Sequence, residues 1–311
     1  MNYRHHYHAG NFADVMKHAV LVQLVRGMQR KDKGFLYLDT HAGRGSYDLA
    51  EARHGDTLER KPEHPGGIGR LIANDASAAA GDAWLLPGEN ARKNPGAPGE
   101  AALADYLGLV RDFDRRSGNL DPNAIRFYPG SPGLMRALMR PQDRMALCEL
   151  HPGEYQSLRG EFKKQPAVSV HELDGYTALR AMLPAPEKRA LVLVDPPYEA
   201  LDEDKKITSA LRESLRRMSA ATCAVWYPLT ERARANEFLD KLAMLNPPPT
   251  LAVELAVAGE NSGLKMRGCG LAIINPPWKI DQTLKPMLAE LATRLAQGPG
   301  AGSTLEWIVR E

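Results

Sequence analysis

The stretch GFLYLDTHAGRGS, residues 34–46, decides the fold. Phe35-Leu36-Tyr37-Leu38 is a short apolar run with no polar alternation, the pattern of a strand covered on both faces, and it stops at an acid, Asp39. A turn with alternate glycines, Gly43 and Gly45, follows. A dinucleotide site orders its glycines G-x-G-x-x-G so that a pyrophosphate can reach backbone amides. The order Asp39-x-His41-x-Gly43-x-Gly45 is different, and no P-loop pattern occurs anywhere in the chain. An acid entering such a turn suits a cofactor without phosphate, bearing a cationic sulfonium and an amino-acid head, as S-adenosylmethionine does.

Outward from this turn, strands and helices alternate. Before it, residues 11–31 have helical spacing, with Val15, Ala19, Leu21, Val22 and Val25 on the apolar side and Asn11 as a cap. After it, strands are predicted at Ile125–Tyr128, Arg144–Glu149, Ala167–Glu172, Ala190–Asp195, Cys223–Tyr227, Thr250–Ala256 and Gly270–Asn275. Helices are predicted at 131–139, 152–163, 175–182, 204–219, 230–243 and 281–296. The pattern predicts an α/β fold with a mainly parallel sheet covered on both faces. The last two strands have no room for a helix between them, so they are expected to form an antiparallel hairpin at the sheet edge. From 48 to 123 Gly, Pro, Ala and charge rise, and only LIAND and ALADYLGLVRDF suggest helices. This predicts an inserted, mostly helical subdomain at 48–123, flexible around 86–100, within a main domain made of 1–47 and 124–311.

Composition restricts the function classes. With 43% hydrophobic and 25% charged residues, the chain reads as an ordinary globular protein. Its three cysteines, Cys148, Cys223 and Cys269, are widely spaced, so neither a disulfide framework nor a zinc knuckle is predicted. No apolar run nears the ~20 residues that span a bilayer, and the N-terminus has no apolar signal core; a cytoplasmic protein without a membrane partner is expected. A net charge of +2 neither demands nor excludes nucleic acid. Local basic clusters, Arg26 with Arg30, Lys31 and Lys33, Arg60 with Lys61, Lys163 with Lys164, and Lys265 with Arg267, are first of all solvated faces.

In open α/β sheets ligands bind at the carboxyl ends of strands. Asp39, Glu149 and Asp195 stand at such ends, with Asp174 just beyond a fourth. Each alone reads as a helix cap; together with the glycine turn they point to a nucleoside-containing ligand. Glu149 would take its ribose hydroxyls and Asp174 its adenine amino group.

Asp195-Pro196-Pro197-Tyr198 matches the [DNS]PP[YFW] signature of methyltransferases that act on exocyclic or amide nitrogens. The residue types fit that chemistry. An adenine amino group is a poor nucleophile because its lone pair is delocalised into the ring. Fixed acceptors, a carboxylate and a proline carbonyl, stabilise the positive charge that develops as the lone pair turns toward a methyl carbon. Proline locks φ near roughly −65° and so holds that carbonyl still, while the tyrosine offers a stacking face for a flipped-out base. No metal is needed. A second match, Asn275-Pro276-Pro277-Trp278, ends a strand assigned to the edge hairpin. Asp195 is therefore the expected catalytic residue, and Trp278 is expected to pack beneath the final helix.

With YRHHYHAGNFADVMKH, FLYLDTHAGRGSY, FYPGSP, ELHPGEY, DGYTAL, LVDPPYE, WYP, ELAV, INPPWK and the closing WIVRE in hand, the chain resembles the RlmJ family. These are bacterial methyltransferases that modify an adenine amino group in 23S ribosomal RNA. The resemblance covers nearly the whole chain except 50–123, which is longer and richer in Gly, Pro and Ala than the family pattern. It implies a class I, Rossmann-like fold and S-adenosylmethionine contacts from His18, His41, Ser131, Glu149, Asp174 and Gly175, with Lys17 close by. It implies Asp195, with Pro196 and Tyr198, as the catalytic motif, and Tyr3 beside Tyr198 at the substrate adenosine. It implies 23S RNA, free or in a ribosome precursor, as partner.

Two other readings share the same residues: a DNA adenine or protein-amide methyltransferase using the same motif, and a non-catalytic RNA-binding protein. The intact motif and intact acids argue against the last. His5, His6 and His8 read either as an exposed polar terminus or as RNA contacts, and no metal site is expected, since no acid or cysteine stands at ligand spacing to them.

Overall fold

The computed structural model describes residues 7–51, 61–74 and 98–310. An eight-stranded sheet forms its centre. Strands β1 (Leu36–Asp39), β4 (Arg144–Glu149), β5 (Val168–Glu172), β6 (Ala190–Val194) and β7 (Thr222–Leu229) are parallel, and β8 (Thr250–Ala256), β9 (Gly268–Ile274) and β10 (Gly302–Val309) complete it through antiparallel pairs. The order is β10-β8-β9-β7-β6-β1-β4-β5. Connections leave β1 toward β4 on one side and β6 on the other, so the topological switch lies at the carboxyl end of β1.

Helices cover both faces. One carries α1 (Phe12–Met28), α2 (Ile68–Ala73), α3 (Pro98–Arg116), α4 (Ser131–Leu138), α5 (Pro152–Phe162) and α9 (Ile280–Leu295); the other carries α6 (Gly175–Met182), α7 (Glu203–Arg217) and α8 (Arg232–Ala243). The parallel strands are apolar because both sides are covered: all five residues of β6 are buried. Helix α1 is buried on nearly every side, between α9, α3 and α4, and its N-cap is Asn11, whose side chain accepts from the amides of Ala13 and Asp14. The polar residues it buries are partnered; the Gln23 amide, for example, donates to the Ala102 carbonyl at 3.2 Å.

Three expectations are corrected. Thr250–Ala256 and Gly268–Ile274 do form a hairpin, but not at the edge, because β10 adds to the outer side of β8. The strand expected at 125–128 does not join the main sheet. Phe127–Pro129 (β3) pairs with Ser46–Asp48 (β2) in a separate two-stranded ribbon, since both sides of β1 are taken by β4 and β6. Trp278 does not pack beneath the final helix; it is 73% exposed. The expected flexible stretch around 86–100 falls mainly outside the described residues.

Candidate functional site

The turn after β1 is stitched into the switch point. The Thr40 amide and hydroxyl donate to the Leu193 carbonyl on β6 at 3.1 and 3.0 Å, and the Ala42 amide to the Cys148 carbonyl on β4 at 2.9 Å. Gly43 and Gly45 both take positive φ, 61° and 93°, which a side chain would resist. Asp39, although at the mouth, does not face it. Its carboxylate is fully buried and accepts from the Tyr37 hydroxyl at 2.7 Å, the Ser131 hydroxyl at 2.6 Å and the His41 amide at 3.3 Å. Burial pushes its pKa up to about 6 against those hydrogen bonds. Asp39 thus holds the turn, and Ser131 reaches the site by bonding to it.

Glu149 and Asp174 end adjacent strands. Glu149 accepts the Gly43 amide at 2.9 Å and the His151 amide at 2.7 Å, while burial raises its pKa. Asp174 caps α6, its Oδ2 accepting the Thr177 amide at 2.8 Å and hydroxyl at 2.9 Å. Next to it Gly175 is close-packed: a Cβ there would lie 2.3 Å from the Thr40 carbonyl oxygen and 2.9 Å from His41 Cε1. His41 Nδ1 lies 2.8 Å from the Thr40 hydroxyl, with the ring edge-on to Tyr176 at 5.5 Å. Burial lowers its pKa despite the pull of Asp195, Glu203 and Asp174, so the imidazole is neutral at pH 7. A glycine turn, two acids on neighbouring strands and a neutral aromatic wall form a cradle suited to a nucleoside with a cationic tail.

Asp195 follows β6 and shares the mouth with this cradle. The Lys17 ammonium from α1 meets its Oδ2 at 2.5 Å and the Asp14 Oδ1 at 2.8 Å, and Asp14 Oδ2 accepts the Gly10 amide at 3.0 Å. Burial disfavours the Lys17 charge, but the two carboxylates outweigh it and its pKa stands well above the usual lysine value. Tyr198, at φ 52°, donates its hydroxyl to the Trp226 carbonyl at 2.9 Å and sets its ring edge-on to that indole at 5.6 Å. Next to Lys17 on α1, His18 Nδ1 lies 2.8 Å from the Tyr128 hydroxyl, itself 2.9 Å from that of Tyr106. Burial pushes both phenols' pKa values up, so the two hydroxyls stay protonated.

A family model described as "Ribosomal RNA large subunit methyltransferase D, RlmJ" matches residues 89–309. Two relatives named "Ribosomal RNA large subunit methyltransferase J", from Escherichia coli (strain K12) and Haemophilus influenzae, are 37% and 35% identical over the full length of both chains. The chain belongs to the RlmJ family. A crystal structure of a Legionella pneumophila protein is also similar, at 34% identity and a TM-score of 0.75, over 96% of this chain and 98% of that one.

In this RlmJ-family chain the residues picked from sequence gather at one end of the sheet: Lys17, His18, His41, Ser131, Glu149, Asp174, Gly175, Asp195, Pro196 and Tyr198. Tyr3, His5 and His6 lie outside the described residues; His8 pairs with Glu63 at 3.0 Å. Among the described residues no group of His, Cys, Asp and Glu could hold a metal ion. The second Pro-Pro motif is at the other end. Because β9 runs against β7, Asn275 sits level with the start of β7, where its amide donates to the Ala220 carbonyl at 3.0 Å. Sequence reasoning missed Asp14, although its spacing to Lys17 places both on one side of α1, and it missed the direct Lys17–Asp195 bond, which joins positions 178 apart.

Proposed function

We propose that this RlmJ-family methyltransferase uses S-adenosylmethionine to methylate the exocyclic N6 amino group of an adenine in 23S ribosomal RNA. The single observation that carries this reading is the position of Asp195, which opens beside the Glu149–Asp174 cradle and is fixed by Lys17. The cofactor supplies an electrophilic methyl carbon next to a sulfonium. Glu149, Asp174 and the Gly43–Gly45 turn would hold its nucleoside, and the close approach of Gly175 to Thr40 and His41 shapes the wall.

Asp195 and the Pro196 carbonyl accept the two hydrogens of the amine, drawing its lone pair toward the methyl. On loss of the methyl from a bound cofactor, which leaves as a neutral thioether, the Asp195 carboxylate would stabilise the positive charge developing on the amine nitrogen and stand ready for the proton it then sheds. Lys17 orients Asp195 by its bond to Oδ2, so one hydrogen-bonding oxygen is preset while Asp14 anchors the ammonium. The ring of Tyr198, pinned by its own hydroxyl, provides the stacking contact for a base removed from its neighbours, at a cost of roughly a few kcal/mol. Tyr3 is proposed to meet the same adenosine.

The ribbon of β2 and β3 supports 48–123 as an insertion in a methyltransferase domain made of 1–47 and 124–311, because it closes the point where the chain departs and returns. No helix among the described residues is long and apolar enough to cross a membrane, and we assign the enzyme to the cytoplasm with its RNA. Methylated adenines are to be mapped in ribosomal RNA from cells with and without the gene, and purified enzyme with radiolabelled cofactor offered 23S RNA and duplex DNA. A site lost with the gene and label on RNA alone is expected; label on DNA alone would overturn the reading.

A further inference from the structure

The end of the sheet remote from Asp195 presents an exposed indole among uncommitted cations. Trp278 is 73% exposed, unusual for a residue that proteins mostly cover. It is nevertheless held in place. Its carbonyl accepts from the Arg30 guanidinium at 3.0 Å, and the Asn275 carbonyl accepts the Thr222 hydroxyl at 2.8 Å. Pro277 packs so closely on α1 that a Cβ at Gly27 would come within 2.7 Å of it. The Lys279 ammonium lies 5.8 Å from the centroid of the Trp278 ring.

The adjoining loop after α1 carries Arg30, Lys31 and Lys33, all exposed, with Asp32 the single acid among them. No ion pair engages Arg30, Lys31, Lys33 or Lys279 among the described residues. The helix-end carbonyls beside them are covered by two more arginines: Arg189 donates to Met28 at 2.7 Å, and Arg140 to Gln29 at 3.3 Å and Lys31 at 3.0 Å. These donors offset the negative end of the α1 dipole, and since Arg140 is itself paired with Asp143 at 3.0 Å, the exposed cations of this patch without an ion pair among the described residues are Arg30, Lys31, Lys33 and Lys279. At the catalytic mouth several cations are instead spent on carboxylates, as in Arg44–Glu154 at 2.9 Å, Lys206–Asp202 at 3.1 Å, Arg232–Glu254 at 2.7 Å and Arg267–Glu260 at 2.7 Å.

We propose that Trp278 and the cations around it are a second RNA-contacting surface, on which an unpaired base stacks while Arg30, Lys31, Lys33 and Lys279 meet the flanking phosphates. Resting on RNA as the substrate, it gives the second Pro-Pro motif a task separate from chemistry. An aromatic platform with a basic rim is what single-stranded nucleic acid binds, and the charge complements a polyanion. Through Thr222, Asn275 is level with Leu191, four residues before Asp195 along β6, so the two surfaces are roughly 13 Å apart along the strand direction. A folded RNA can occupy both.

Wild type, Trp278→Ala, Trp278→Phe and the double variant Lys31→Glu with Lys33→Glu are to be compared as full-length proteins. Steady-state methylation of transcribed 23S RNA is one readout, and anisotropy of a labelled single-stranded RNA oligonucleotide across a salt series is the other. Trp278→Ala should raise KM for RNA about tenfold with kcat within about twofold and KM for S-adenosylmethionine unchanged, and Trp278→Phe should restore most of the loss. The charge reversal should lower the salt slope of oligonucleotide binding by about 1 to 1.5. Unchanged RNA KM and oligonucleotide affinity in all variants would overturn the proposal, as would a loss of self-association by sedimentation with RNA binding intact. Should wild type label no RNA, the functional reading fails, and the oligonucleotide series still decides whether this surface binds RNA.

Discussion

Lys17 and Asp195, 178 positions apart in the chain, meet at 2.5 Å in the mouth of the sheet, with Asp14 on the other side of the ammonium at 2.8 Å. Removing one member of a buried charged set strands the others, at about 3–5 kcal/mol. Lys17→Met is expected to lower the unfolding free energy obtained from urea titration by an amount of that order and to slow methyl transfer at least a hundredfold. Pairing it with Asp14→Asn should recover part of the stability and little of the rate. Strict additivity of the two stability losses would show that the pair is not coupled.

Asp195→Ala should abolish methyl transfer while the fold and cofactor binding persist, with a lowered unfolding temperature because Lys17 keeps only Asp14 as its partner. Asn275→Ala, which loses the amide bond to Ala220 and puts an alanine at φ 50°, should cost about 1–3 kcal/mol and leave kcat unchanged. If the two phenotypes were exchanged, the assignment of the catalytic motif would be reversed.

Asp39 carries a pH signature. Its folded pKa is raised to about 6 while the unfolded value is 3.8, so the folded state holds the proton more tightly. Stability contributed by this group is therefore complete below about pH 4, declines as pH rises to about 6, and is lost above it. The decline is on the order of 2–3 kcal/mol. Denaturant titrations between pH 4 and 8 should show that fall in wild type and a shallower one in Asp39→Asn; parallel curves would refute it.

Asp174 has one oxygen on the α6 cap and one left for a ligand. Asparagine caps a helix about as well as aspartate, so Asp174→Asn should change stability by less than about 0.5 kcal/mol. Its amide would then turn a donor toward the adenine amino group, and S-adenosylmethionine affinity, measured by calorimetry, should drop about tenfold. Unaltered affinity would remove Asp174 from the cofactor site.

Much of this was legible in the sequence because parallel strands with both faces covered announce themselves: ALVLV at 190–194 could hardly be anything else. Strand β10 was not, since Gly302–Val309 opens on small and polar residues and has only the short apolar run Trp307–Val309, and at the sheet edge it is only partly buried. The Phe127–Pro129 ribbon was misplaced because three residues state a preference for extension and nothing about their partner. Within the site, the acids could be named from their places after strands, whereas the orientation of Asp39 could not, being set by Tyr37 and Ser131. Trp278 was read as core because indoles usually are, and the prolines before it gave no sign of the direction in which it would point.

Helix α1 is both the innermost element and the bearer of Lys17 and His18. Any fluctuation that withdraws it dismantles the interior and the reaction centre together, so amide protons along Val15–Val25 should exchange only through global opening. In an enzyme so built, loss of the interior and loss of the Lys17–Asp195 arrangement should be one event, so activity is expected to track the fraction of folded molecules.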